Sequence, residues 1–443
     1  MTINRRNFLK KSAVTSAGIG VATIIPAELW ATGTAPSDKV NVGLIGCRNH
    51  GYTILRNHLE YDDVNCVALC DVDSNILNEK ADDLKKNYNQ HPTLYADFRK
   101  MLDQKDIDAV IIGTPDHWHC IQLVYCLQAG KDVYVEKPLA NTIAECNIMV
   151  AASRYYNKVV QVGQQQRSNQ AFKESIGMIR EEKIGTLRKV NIWGNFNYGL
   201  GSIPREDEPV PGGVDYDMWL GPAPERPFNR NRFHGSWRHF WDYGGGLMSD
   251  WGVHLVDMGL WAKNLTGAPE LVMTWAGNIS KEIRQRDSFD TMTVVYPKED
   301  YVINWDMTAG IEQGPYEMLY GVAFIGEKGT ILTNRYGYRV IPEWDNNLRE
   351  HKTDAKQVTG IRDAHSLHVR NFLDCIKSRE TPVCPPEIGR AAALHVHIPN
   401  IAARVGEPML IWDDSNSRFT NSSKANELIT PEYRAPWTLP KIG

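Results

Sequence analysis

The chain has 443 residues, 42% of them apolar and 23% charged, and its 49 basic and 53 acidic side chains leave a net charge of −4. That length exceeds one ordinary core and predicts two domains of a globular protein. A charge balance this close to neutral gives no reason to invoke nucleic acid or an anionic membrane as a partner.

The first element is a targeting segment. Asn4-Arg5-Arg6-Asn7-Phe8-Leu9-Lys10 precedes a weakly apolar stretch from Ala13 to Ile25 and small residues up to Ala35, the layout of a twin-arginine secretory signal. Residues 1–35 are therefore expected to be a signal peptide, cut after Ala31 or Ala35, and the protein to be exported to the periplasm. The apolar run is short and rich in Gly, Ser and Thr, so no membrane span is expected in the mature protein.

From residue 36 to 162, short apolar runs alternate with helical periodicity. Strands are predicted at 40–45, 66–70, 109–112, 133–135 and 159–162, and helices at 52–60, 74–87, 98–102, 117–129 and 143–155. That alternation predicts an α/β domain with a doubly wound parallel sheet of the Rossmann type. The eight cysteines (Cys47, Cys66, Cys70, Cys120, Cys126, Cys146, Cys375 and Cys384) fall mostly inside predicted elements and read as buried small hydrophobes.

The pattern changes over 163–443. A helix at 170–182 precedes a strand at 187–196, and the Gly-, Pro- and charge-rich stretch 198–234 reads as long loops. A helix at 249–262 is followed by strands with period-2 alternation at 270–277, 291–296, 301–308, 320–325 and 330–333. This half is expected to be α+β with an open, mostly antiparallel sheet. Helices at 366–377 and 386–403 follow, and the tail past Gly406 is expected to wrap the surface.

Four motifs carry chemistry. The first turn, Gly46-Cys-Arg-Asn-His-Gly51, follows a strand and opens a helix, as a pyrophosphate-binding turn does, with Gly46, Arg48, Asn49 and Gly51 as the contacts. Arg48 stands where the middle glycine of that fingerprint usually lies. Asp71, ending the second strand, can accept both hydroxyls of an adenosine ribose and repel a 2′-phosphate, which favours NAD over NADP. Thr114-Pro-Asp-His-Trp-His119 follows the next strand, and Thr114, Pro115 and His119 are expected against the nicotinamide half. Its His-x-His spacing lacks a third ligand nearby, so no metal is expected.

Glu136-Lys137-Pro138 ends a further strand, where a lysine aimed into the cleft can steady the alkoxide that develops during hydride transfer. Asp250 and His254 lie four apart on a predicted helix and share a face. A neutral imidazole there is a natural acceptor for an alcohol proton. The glycines Gly244, Gly245 and Gly246 before them would let a ligand approach the helix. Trp237, Phe240, Trp241 and Tyr243 suit either a sugar ring or core packing.

Taken in this order, the motifs resemble the glucose–fructose oxidoreductase, inositol dehydrogenase and rhizopine-catabolism (Gfo/Idh/MocA) family over the chain after the signal. The resemblance implies a substrate triad of Lys137, Asp250 and His254, with Glu136 and Lys137 also on the cofactor and Arg167 near the cleft. It implies NAD as cofactor, a carbohydrate as substrate, and a homo-oligomer, dimer or tetramer, formed on the open sheet. The expected activity is NAD(H)-dependent oxidation or reduction of a secondary hydroxyl of a sugar, glycoside or cyclitol. Two alternatives are a glycosidase or lyase that oxidises a ring carbon transiently, and a nucleotide- or sugar-binding protein without catalysis. Retention of all three triad residues speaks against the last.

Overall fold

The computed structural model describes residues 39–443 except Asp363. The twin-arginine motif and the rest of the expected signal lie outside the described residues.

Strands β1 (Val40–Ile45), β2 (Val64–Cys70), β3 (Thr93–Tyr95), β4 (Ala109–Ile112), β5 (Asp132–Val135) and β6 (Val160–Val162) form one six-stranded sheet in the order β3-β2-β1-β4-β5-β6, every pairing parallel. β4, β5 and β6 are buried along their whole length, because crossover helices cover both faces. Strand order reverses between β1 and β4, which opens a crevice at their carboxyl ends.

The second sheet has ten strands in the order β16-β13-β12-β11-β7-β10-β9-β8-β17-β18. They are β7 (Leu187–Gly194), β8 (Leu271–Gly277), β9 (Thr291–Pro297), β10 (Val302–Thr308), β11 (Tyr320–Gly326), β12 (Gly329–Asn334), β13 (Gly337–Pro342), β16 (Lys356–Val358), β17 (Met409–Asp413) and β18 (Arg418–Phe419), with a ribbon of β14 (Trp344–Asp345) and β15 (Glu350–His351) outside the sheet. Only β7 and β10 pair in parallel; every other pairing is antiparallel. The fold is therefore the expected one, a Rossmann sheet followed by a mostly antiparallel sheet. The tail differs: past Gly406 it enters the sheet as β17 and β18, with Leu410 and Trp412 turned inward and buried.

One face of the large sheet buries Ile192, Val294, Ile303 and Phe324 in the same core as residues of the helices Val253–Trp261 and Pro386–Val405. Packing then crosses back over the 162/163 boundary. The helix His365–Ser378 lies on the first-domain helix Asn49–His58, burying Val369, Phe372 and Leu373 with Ile54, Leu55 and Tyr134. Arg370 pairs with Asp63 at 2.9 Å. Among the described residues no helix is long and apolar enough to cross a membrane, and all eight cysteines are buried free thiols.

Candidate active site

Three glycines fix the nucleotide end of the crevice. Gly46 has φ +87°, and a Cβ on it would sit 2.8 Å from the carbonyl carbon of Gly113. A Cβ on Gly51 would lie 2.2 Å from the Gly46 oxygen, and one on Gly113 would lie 2.5 Å from the Gly51 Cα. The β1 turn, the helix that follows it and the end of β4 thus meet backbone to backbone. Gly113 carried no recognisable sequence signal. Arg48, extended at φ −93° and ψ 152°, caps that helix and, with Asn49, lines a cleft of about 440 Å³.

Asp71 lines the same cleft and accepts the Cys47 N–H at 2.7 Å and the Asp73 N–H at 2.9 Å. Burial pushes its carboxyl up to about 6. The second domain roofs this end. Val214 bridges to Asp73, the Asp215 N–H donates to the Val72 carbonyl at 2.9 Å, and the Ser74 N–H to the Gly213 carbonyl at 2.8 Å. His234 Nε2 sits 2.7 Å from Asp73 Oδ2. Met218, Trp219, His234 and Gly235 therefore complete the cleft lined by Asp71 and Val72.

Thr114, Pro115, Glu136 and Lys137 continue the wall. Glu136 Oε2 is 3.2 Å from His50 Nε2, whereas its buried Oε1 has no partner among the described residues. Burial alone would raise this carboxyl, but His50, Lys137 and His365 hold it down at about 2. A glycine cradle, a ribose-reaching carboxylate and an orphaned acceptor are the features that a dinucleotide requires, so the residues fit NAD.

At the other end Lys137 Nζ lies 2.5 Å from Asp250 Oδ1 and 2.9 Å from the Asp250 carbonyl. Asp250 also receives Arg238 Nε at 3.1 Å and the Tyr198 hydroxyl at 2.6 Å. Burial opposes its ionisation, yet Lys137 and Arg238 hold the carboxyl well below the ordinary range. Asp250 is an anchored carboxylate, already saturated, and not a base. His254 is 4% exposed and lines the cleft; its Nδ1 has no partner among the described residues. Burial, then the charges of Lys137 and Arg335, keep the imidazole well below its usual value and therefore neutral. The helix carrying the pair is not uniform: Met248–Gly252 is a π-turn and only Val253–Trp261 is α-helical. Such wide turns recur at functional sites.

Several expected contacts lie elsewhere. Gly51 serves the backbone packing behind the cleft. His119 is fully buried, its ring between the carbonyls of Pro138 (2.9 Å) and Thr114 (3.0 Å). Arg167 forms a buried two-pronged pair with Asp257 at 2.6 and 2.8 Å, tying down the helix that carries His254. Trp237 lines the cleft, but Trp241 faces Phe289 and Arg404, and Tyr243 is wholly enclosed beside Trp219 and His117. Gly245 and Gly246 give the chain room against Ser249 and Ser288 rather than against a ligand. Sequence reasoning had not singled out Tyr198 and Arg238, each on a single 3-10 turn, or Arg335 and His365, far along the chain, nor Asp116 within its own motif.

Residues 40–164 match the Gfo/Idh/MocA oxidoreductase-family model described as the NAD-binding Rossmann fold, and residues 186–264 match that family's C-terminal α/β domain. A glycosyl hydrolase family 109 protein of Shewanella baltica is 28% identical over 217 residues, covering 44% of this chain and 45% of the relative, so the match spans about half that relative's length. Levoglucosan dehydrogenase, solved with NADH, superposes with a TM-score of 0.65 at 17% identity over 84% of this chain and 98% of its own. The aldose–aldose oxidoreductase of Caulobacter crescentus, solved with glycerol, does so with 0.63 at 18% identity over 84% and 99%. At such identities the solved structures speak for the fold alone. Over these two spans the chain is similar to the Gfo/Idh/MocA oxidoreductase family, first to its NAD-binding Rossmann domain and then to its C-terminal α/β domain.

Proposed function

We propose that the protein oxidises or reduces a secondary hydroxyl of a sugar, glycoside or cyclitol while keeping its NAD(H) bound. The observation that carries this reading is the convergence of Lys137, Asp250 and His254, from both sides of residue 162, on the cleft that also holds the glycine turn and Asp71. A dinucleotide held by the glycine turn and Asp71 would supply the hydride acceptor or donor for the carbinol carbon. Lys137, aimed by Asp250, donates to the hydroxyl oxygen and steadies its developing charge. The neutral imidazole of His254 takes the hydroxyl proton, and the fixed carboxylate of Asp250 balances the imidazolium that results. Two neighbours of the same fold are named for sugar substrates, levoglucosan dehydrogenase and the aldose–aldose oxidoreductase, which makes a carbohydrate the first substrate class to test.

Retention of the cofactor is supported by the second-domain roof over Asp71 and by the expected export. A nicotinamide pool is not expected outside the cytoplasm, so an exported enzyme carries its cofactor along and resets it in place. Exposed Met273, Trp275, Met409 and Ile411 on the adjacent strands β8 and β17 support a homo-oligomer. The test is purification without added nucleotide. NAD(H) should appear in stoichiometric amount by mass spectrometry after denaturation, and most turnover on a sugar panel should need no added nucleotide. Protein that arrives empty and exchanges NAD rapidly would refute retention.

A second reading, in which the sugar is oxidised transiently and a glycosidic bond is eliminated, is favoured by the family 109 match. Aglycone release without net NADH would select it.

A further inference from the structure

Asp116 is a buried acid in the cleft without a partner. It is 5% exposed and lines the cleft, and no hydrogen bond or ion pair joins its carboxyl to any described residue. Other buried acids are engaged: Asp71 by backbone N–H groups, Asp257 by Arg167, Asp290 by Arg286 and Asp250 by Lys137. A buried carboxyl left unpaired costs stability unless a ligand completes it.

Its location says which ligand. β4 and β5 are adjacent and pair Ile112 with Val135, so the segments leaving them carry Asp116 and Lys137 side by side at the carboxyl edge of the sheet. Charges bear on Asp116 from Arg238 and Lys137, which favour ionisation, and from Asp250 and Glu136, which oppose it; burial prevails and holds the carboxyl well above its ordinary range. Both cations are already committed to Asp250. What faces the cleft is a carboxylic acid, a hydrogen-bond donor.

We propose that Asp116 is a further catalytic residue: as a neutral acid it shares with Lys137 the substrate oxygen that becomes alkoxide and carbonyl, donating a hydrogen bond to it without giving up its proton. This rests on the proposed oxidation of a sugar hydroxyl. A neutral donor at that oxygen stabilises developing charge, whereas a carboxylate would repel it.

The experiment compares Asp116→Ala and Asp116→Asn in the full chain, on the sugar that the wild type turns over best. The Asn variant keeps a donor. Asp116→Ala should lower kcat by about 10²–10³-fold, with KM, NAD(H) content and melting temperature not reduced. Asp116→Asn should restore most of that loss. The wild type should lose kcat as pH rises through the Asp116 titration, since the carboxylate no longer donates, and the Asn variant should lack that limb. Loss of NAD(H) in either variant would make Asp116 a cofactor ligand and overturn the proposal. So would a lower melting temperature in Asp116→Ala, an effect confined to KM, an Asn variant as impaired as Ala, or wild-type kcat in both. A wild type inert on every sugar would overturn the proposed function itself, and this role with it.

Discussion

The two walls of the cleft are made of different material. The first-domain wall takes its shape from backbone packed behind it: Gly46, Gly51 and Gly113 meet without side chains, and strand ends aim Asp71, Asp116, Glu136 and Lys137 at the cleft. The facing wall is side chain and charge, with Arg238, Asp250, His254 and Arg335 beside Trp237 and Trp251. Backbone geometry suits a ligand that never changes, the dinucleotide. A wall of side chains can be rewritten one residue at a time and so defines the substrate.

The largest effect should come where the walls meet. Lys137→Ala and His254→Ala should each lower turnover by about 10²–10⁴-fold, the usual contribution of such groups, with circular dichroism and NAD(H) content unchanged. Asp250 keeps Arg238 and Tyr198 in the Lys137 variant, so the site should not collapse. Near-normal turnover in either would remove that residue from the chemistry.

The backbone wall should fail in another way. Gly51→Ala places a methyl group 2.2 Å from the Gly46 oxygen. A destabilisation of about 1–3 kcal/mol is expected from the forced shift, together with loss of NAD(H), as seen by thermal melts and mass spectrometry. An Ala variant that melts normally and stays loaded would mean that the glycine contact is not what shapes the nucleotide end.

Asp71 is the side chain on which the backbone wall depends, and its effect should be smallest. Asp71→Ser should weaken NAD binding by about tenfold, the loss of one hydrogen bond to a charged group, and narrow the gap to NADP. Because the wild-type carboxyl titrates at about 6, NAD affinity should fall as pH is lowered through that value, and the Ser variant should show no such step. Titrations of both nucleotides by calorimetry check this. Tighter wild-type binding of NADP would remove Asp71 from ribose recognition.

The same division explains what could be read in the sequence. Buried parallel strands announce themselves as apolar runs, so five of the six first-sheet strands and the residues at their ends, Gly46, Asp71 and Lys137, were legible. β3 is three residues long and largely exposed, and it carries no such signal. On the other wall, the direction of a side chain is a tertiary property. Arg167, Trp241 and Tyr243 have the right chemistry, but packing turned them to Asp257, Phe289 and Trp219. Tyr198 and Arg238 reach Asp250 from single 3-10 turns too short to show a periodicity. The π-turn at Met248–Gly252 depends on backbone bonding that residue pattern does not reveal.

The return of the helix His365–Ser378 onto the first domain bears on the order of synthesis. Domains ordinarily fold from the N-terminus as they leave the ribosome. Here the helix behind the glycine turn packs against Val369, Phe372 and Leu373, residues made late in translation. The nucleotide domain cannot close its core while the chain is still growing past β16. A complete nucleotide site therefore belongs to the finished polypeptide.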